Sequence, residues 1–214
     1  VKKCKPKTPC KIGDYSSVGS GGVIGHENGY IAVITAGHVC SGDFAPALEN
    51  MILEKETTLM IRTWKGTVVP ARIIRSSDNP KIDLCAIKVT GVGFPLPRIK
   101  VSTQRPVIGN RVFSMAAPAG IYHPPTVPIL EGIYSGMLED NLNSLVTIPA
   151  TGGSSGSVVL NSKKEIVGIV FAAARAFPHI TLSVGYDQTK IFIRKSLKSL
   201  RAGPAANMSL EGDL

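Results

Sequence analysis

Ala150-Thr151-Gly152-Gly153-Ser154-Ser155-Gly156-Ser157-Val158-Val159 sets small residues and three glycines around a serine and then enters an apolar run. A tight turn built this way can present one hydroxyl at a strand edge and aim backbone N–H groups at a single point. A nucleophile with an oxyanion hole has that layout. Taken alone, the stretch reads equally as a flexible Gly/Ser connection between two strands. The two readings separate on whether the rest of the chain supplies a base and an orienting acid.

The surroundings of this loop read as β structure. Helical periodicity is scarce, and short runs rich in Val, Ile and Thr recur between Gly- and Pro-containing turns. Strands are expected at 18–24, 30–35, 58–63, 67–74 and 84–89, with His26-Glu27-Asn28-Gly29 as an Asn-Gly hairpin turn. Residues 91–106 carry Pro95, Pro97 and Pro106 without periodicity and read as a surface linker. A second set follows at 111–116, 127–137, 145–148, 157–160, 166–171 and 181–186. Two successive sets imply an all-β fold of two six-stranded antiparallel β-barrels. The period then switches: Asp187 is a plausible N-cap, and Ile193, Leu197 and Leu200 give one apolar helix face, stopped by Gly203-Pro204. The expected division is a basic N-terminal arm (1–13), an N-terminal barrel (14–100), a C-terminal barrel with its helix (101–202) and a flexible tail (203–214).

With 214 residues, 43% hydrophobic and 18% charged, the chain has an ordinary globular composition, and no apolar run reaches membrane-spanning length. The net charge of +9 gathers at the ends: Lys2, Lys3, Lys5, Lys7 and Lys11 at one, Lys190, Arg194, Lys195, Lys198 and Arg201 at the other. Such termini can touch nucleic acid or an acidic partner, but no aromatic-studded basic groove or metal-ligand spacing backs a nucleic-acid module, so solvated termini are the reading. Cys4, Cys10, Cys40 and Cys85 form no Cys-x-x-Cys pair, and no His stands at finger spacing. Cys4 and Cys10 could bridge in an oxidising setting. The reading adopted is free thiols and an intracellular site, in the cytoplasm of the source cell or of a host.

Three places hold the residue types the loop needs. His38 ends the strand that runs into Thr35-Ala36-Gly37-His38-Val39. Asp83 stands at the mouth of the apolar strand Ile82-Asp83-Leu84-Cys85-Ala86-Ile87-Lys88-Val89. Ser155 has Gly at −2 and +1, which its rivals Ser154 and Ser157 lack. A serine hydroxyl needs a base to take its proton, and a neutral imidazole needs a carboxylate to hold its tautomer. Asp14, Asp43 and Asp78 are the competing carboxylates, each in a loop, and His26, His123 and His179 lie in turns or Pro-rich contexts. Cys85 reads as a packed residue beneath the histidine, and Cys40 as structural. The order His, Asp, Ser is that of the chymotrypsin type.

With these segments in view, the chain resembles the chymotrypsin-like (trypsin-like) serine peptidases. Thr35-Ala36-Gly37-His38-Val39 is similar to their histidine motif, Ile82 to Val89 to their acid strand, and Gly153-Ser154-Ser155-Gly156 to their Gly-x-Ser-Gly loop. Ile166-Val167-Gly168-Ile169-Val170 is similar to the strand that lines the specificity pocket. The resemblance implies a site in the cleft between two barrels, with His38, Asp83 and Ser155 catalytic and the N–H groups of Gly153 and Ser155 forming the oxyanion hole. It places substrate contacts at Pro149, Ala150, Thr151, Phe171, Ala172 and Ala173, with no acidic residue where trypsins read Lys or Arg. No metal or organic cofactor is implied.

Two departures stand out. Ser154 replaces the Asp that precedes the nucleophile in digestive members, and Val1-Lys2 does not read as their Ile-Val start, so activation by that ion pair is not expected. Val39 replaces the cysteine that follows the histidine in secreted trypsins. The cysteine-poor layout, with Arg111 to Gly120 and Gly132-Ile133-Tyr134-Ser135-Gly136, is closer to HtrA-type or to viral and phage chymotrypsin-like proteases. Val1 is not an initiator and no PDZ domain follows the helix. The expectation is therefore a stand-alone serine endopeptidase that processes a viral or cellular precursor, its own included, in cis or in trans. The alternative is a catalytically inactive module on the same fold that binds nucleic acid or an acidic partner through its basic termini.

Overall fold

The computed structural model describes residues 2–3, 11–12, 16–42, 52–54, 56–174, 176–177 and 179–202. Lys2–Lys3 (β1) and Lys11–Ile12 (β2) pair with each other, and Ile52–Glu54 (β5) joins β1 on its other side. Part of the expected basic arm is therefore a sheet strand. Cys4 and Cys10, and the tail 203–214, lie outside the described residues.

Gly22–Glu27 (β3) and Tyr30–Thr35 (β4) form the expected hairpin. Asn28 and Gly29 both take positive φ, 50° and 76°, the left-handed pair that a two-residue turn between twisted strands requires. Met60–Arg62 (β6), Val68–Ser76 (β7) and Cys85–Val89 (β8) complete a five-stranded sheet in the order β3-β4-β8-β7-β6. The expectation of two closed barrels is thus met only in part. Among the described residues the first half is an open five-stranded sheet.

The second half does close. Arg111–Met115 (β9), Ile129–Met137 (β10), Asn143–Val146 (β11), Val158–Leu160 (β12), Ile166–Ala173 (β13) and Thr181–Val184 (β14) make a six-stranded antiparallel barrel, ordered β10-β11-β14-β13-β12-β9. Its interior carries Val112, Val146, Ile148, Val159, Val167 and Val170. The linker 91–106 crosses between halves with one isolated bridge, Val101 to Ile166.

Tyr186–Ala202 is the C-terminal helix (α2; α1 is described below). Asp187 lies in its first turn rather than at the cap, where a carboxylate still faces the positive end of the helix dipole. Its buried face, Phe192, Ile193, Leu197 and Leu200, enters one core with Ile24, Ile34 and Leu84 from the first half and Val158, Ile166 and Val184 from the second. The side-chain amide of Asn28 donates to the carbonyls of Leu200 and Arg201, both at 3.3 Å, so the β3–β4 turn satisfies helix-end acceptors that have no partner within the helix. No described helix is long and apolar enough to cross a membrane.

One cysteine expectation is overturned. Cys40 and Cys85 are not free thiols but a disulfide, with Cα atoms 6.4 Å apart. Thr35 on β4 pairs with Cys85 on β8, and the turn of helix after β4 folds Cys40 back over that pair. The thiol-based ground for an intracellular site falls with it, since such bridges persist where surroundings are oxidising.

Candidate active site

β4 does not end in extended chain at His38. Gly37–Ser41 is a short helix (α1) that starts directly after Ala36 and places His38 in its first turn. Asp83 lies two residues before β8, in the segment that leads into the neighbouring strand. Its carboxylate takes two bonds from one residue: the backbone N–H of His38 donates to Oδ1 at 2.8 Å, and His38 Nδ1 meets Oδ2 at 2.5 Å. The His38 side chain is 39% exposed and that of Asp83 24%. The carboxylate thus sits behind the ring, and the imidazole faces outward. A Cβ at residue 37 would come within 2.6 Å of Asp83 Oδ1, so the glycine before the histidine is what lets the carboxylate approach.

The serine loop is brought to this pair by backbone packing. Gly156, at φ 87°, lies so close to Thr35 Oγ1, the Ser20 carbonyl and the Ala36 N–H that a Cβ could not fit. The last residues of β4 and the residue after Ser155 are therefore in direct contact. Of the three serines, Ser154 is 2% exposed and Ser157 1%, whereas Ser155 is half-buried. Ser155 is the accessible one.

Gly153 takes φ 92° and packs on the carbonyl of Ala117, again with no room for a Cβ. That carbonyl belongs to the segment leading into a 3₁₀ turn at Pro118–Gly120, and the N–H of Ala119 donates to the Gly152 carbonyl at 2.6 Å. Ser154 N–H donates to Thr151 O, Gly156 N–H to Val170 O and Ser157 N–H to Ser154 O. Among the described residues the N–H groups of Gly153 and Ser155 donate to no protein acceptor. Two open donors that flank Ser154, in a loop where the amides of Ser154, Gly156 and Ser157 are used, can stabilise an incoming negative oxygen.

Beside the loop lies a cavity of about 310 Å³ lined by Ala150, Thr151, Gly152, Ser154, Ser155, Val170, Ala172, Ala173 and Ala174. Four of the residues expected to contact substrate, Ala150, Thr151, Ala172 and Ala173, are in its wall. Pro149 and Phe171 are not; Phe171 packs instead against the core shared by the two halves. A register shift in β13 between Val170 and Ala172 accompanies the change of face. Val170 and Ala174 also line the cavity, the first on the strand that resembles the family's pocket strand and the second just past its end. No charged side chain is among the described lining residues.

The two halves also touch around the site. Tyr122 Oη donates to the Thr63 carbonyl, and the Asn143 amide reaches the Lys81 carbonyl at 3.4 Å, two residues before Asp83. Asn143 is itself held by Asp140, whose carboxyl is kept below its ordinary range first by the N–H groups of Asn143 and Leu142. Among the described residues no cluster of three or more His, Cys, Asp or Glu side chains could hold a metal.

Comparison with known proteins agrees with this fold. The model of the trypsin-like peptidase domain matches residues 19–169. A solved serine endoprotease from Yersinia pestis superposes with a TM-score of 0.64 at 20% identity, over 84% of this chain and 57% of that one. The likeness to that structure is one of fold, and this chain spans little more than half of its length. Curated protein sequences gave no match. The family model spans more than half of the residues, from the glycines before β3 to the middle of β13, and the chain belongs to the trypsin-like peptidase family.

Proposed function

We propose that the chain is a serine endopeptidase working through an acyl-enzyme, with Ser155 as nucleophile, His38 as general base and acid, and Asp83 as the orienting carboxylate. The observation that carries the reading is the pair of hydrogen bonds between Asp83 and His38 beside a packed loop in which Ser155 is half-buried while Ser154 and Ser157 are fully buried. In this reading Ser155 Oγ attacks the substrate carbonyl as its proton passes to His38 Nε2. The carbonyl oxygen, now negative, is held by the N–H groups of Gly153 and Ser155. His38 returns the proton to the leaving amine, the C–N bond breaks, and water repeats the cycle on the acyl group. A processing role on a viral or cellular precursor is the narrower form of the proposal and rests on the resemblance to viral and HtrA-type proteases.

A fluorophosphonate probe tests the reading. The unmodified protein should be labelled at Ser155, and Ser155→Ala should not. An unlabelled wild-type protein would instead favour the inactive binding module.

The cavity at Ala150, Val170 and Ala172 to Ala174 is small-walled and uncharged, which supports a P1 residue of modest size and weak polarity. Burying one extra methylene in such a pocket changes specificity by only about 10–200-fold. A peptide library should therefore show a graded preference for Ala-, Val- or Thr-sized residues. Cleavage dominated by Lys or Arg at P1 would contradict this pocket.

A further inference from the structure

Ser20 lies in the chain's first glycine-rich segment, 135 residues before Ser155, yet two of its three polar groups, the hydroxyl and the N–H, meet the serine loop or the segment under it. Its hydroxyl donates to the Gly153 carbonyl at 2.8 Å and accepts from the Ala117 N–H at 3.0 Å. Its own N–H donates to the Ser155 carbonyl at 2.7 Å. Its carbonyl accepts from Thr35 Oγ1 at 2.7 Å, on the strand that leads to His38.

We propose that Ser20 is a positioning residue for the oxyanion hole. That role rests on the reading that Gly153 and Ser155 supply the donors. Gly153 has no side chain to restrain its ψ, so the two peptide planes around it can turn unless something outside the loop holds them. The plane before it carries the Gly153 N–H and is held at the Gly152 carbonyl by Ala119. The plane after it is held at the Gly153 carbonyl by the Ser20 hydroxyl. The plane after Ser155 is held by the Ser20 N–H.

The 153–154 plane is also held by Ser154 N–H to Thr151 O and the 155–156 plane by Gly156 N–H to Val170 O. Ser20 thus supplies two of five holds, and one of the two is a side-chain group that substitution can remove. Without the hydroxyl, the Ala117 N–H and the Gly153 carbonyl lose a shared partner. Movement of the released 153–154 plane shifts the Gly153 Cα that joins the two planes, and the Gly153 N–H on the preceding plane is displaced with it. A hole assembled this way fails in the tetrahedral state, where the oxygen is charged, more than in the ground state.

The test is Ser20→Ala, assayed with a peptide ester or amide substrate. kcat should fall about 10–100-fold while KM moves less than threefold, less than the roughly 10²–10³-fold recorded for deleting an oxyanion donor itself. Affinity for a peptide boronate, which mimics the tetrahedral state, should weaken in proportion to kcat/KM, while affinity for the matching product peptide should hold. Ser20→Thr and Ser20→Val form a same-shape pair that isolates the hydroxyl whatever the fit, and Thr should exceed Val at least tenfold in kcat. A Ser20→Ala enzyme within threefold of wild type overturns the proposal. So does equal weakening of boronate and product, or a Thr variant no better than Val. Failure of the underlying reading looks different: the wild-type protein itself would then neither turn over substrate nor take a fluorophosphonate.

Discussion

Asp83→Asn is expected to lower kcat by about 10⁴-fold at neutral pH, the order found when the triad carboxylate of such peptidases is made an amide. The fold around it should hold. Asn can still accept the His38 backbone N–H through Oδ1, which replaces the 2.8 Å bond seen now. The ring is what changes. Asp83 Oδ2 faces Nδ1 at 2.5 Å, and a carboxylate there requires the ring proton to sit on Nδ1. An amide N–H in that place requires the opposite, so the proton moves to Nε2, the atom that must be free to accept from Ser155. KM should change little, because the substrate cavity at Ala150 and Ala172 is untouched. Steady-state kinetics with a matched melting curve decides it. Activity within tenfold of wild type, at unchanged stability, would remove Asp83 from the mechanism.

The second large effect concerns Cys40 and Cys85. The bridge spans 45 residues, and closing a loop of that length in the unfolded chain is worth about 4 kcal/mol on the chain-entropy model. For a protein of this size that corresponds to a fall in melting temperature of roughly 10 °C. The double variant Cys40→Ala, Cys85→Ala should show that fall by calorimetry and should then be indifferent to reductant. Catalysis should suffer as well. Cys40 is two residues past His38 and Cys85 two past Asp83, so the bridge ties the helix of the base to the strand of the acid. A double variant melting with the wild type would show that the two sulfurs are not joined.

Much of the site was legible because its parts are local. Tyr30 to Thr35 is a continuous apolar run that ends in Ala-Gly-His, and the Asn28-Gly29 pair names its own turn. Strand ends were readable to within a few residues for the same reason, since Gly, Pro and Asn mark them. The disulfide was not legible. No spacing rule connects cysteines 45 residues apart; the pairing follows from the β4–β8 register and from one turn of helix that the pattern Gly37-His38-Val39-Cys40 does not announce. Closure of the first sheet was over-read because five strand signals do not say whether the outer two meet. Ser20 was invisible for a related reason: its hydroxyl partners are 97 and 133 residues away, and a serine between glycines reads as loop. Phe171 misled because a bulge turns its face, and a bulge leaves no mark in residue type.

The helix from Tyr186 to Ala202 has a consequence for the order in which the protein can be made. A chain leaves the ribosome N-terminus first, so β3, β4 and β8 exist long before the helix does. Yet Ile24, Ile34 and Leu84 finish their packing only against Phe192, Ile193, Leu197 and Leu200, and the β3–β4 turn holds the helix end. The earlier sheet is sealed only after the later helix emerges. The sheet behind His38 and the barrel behind Ser155 thus share a core that closes only once Phe192 to Leu200 have been made.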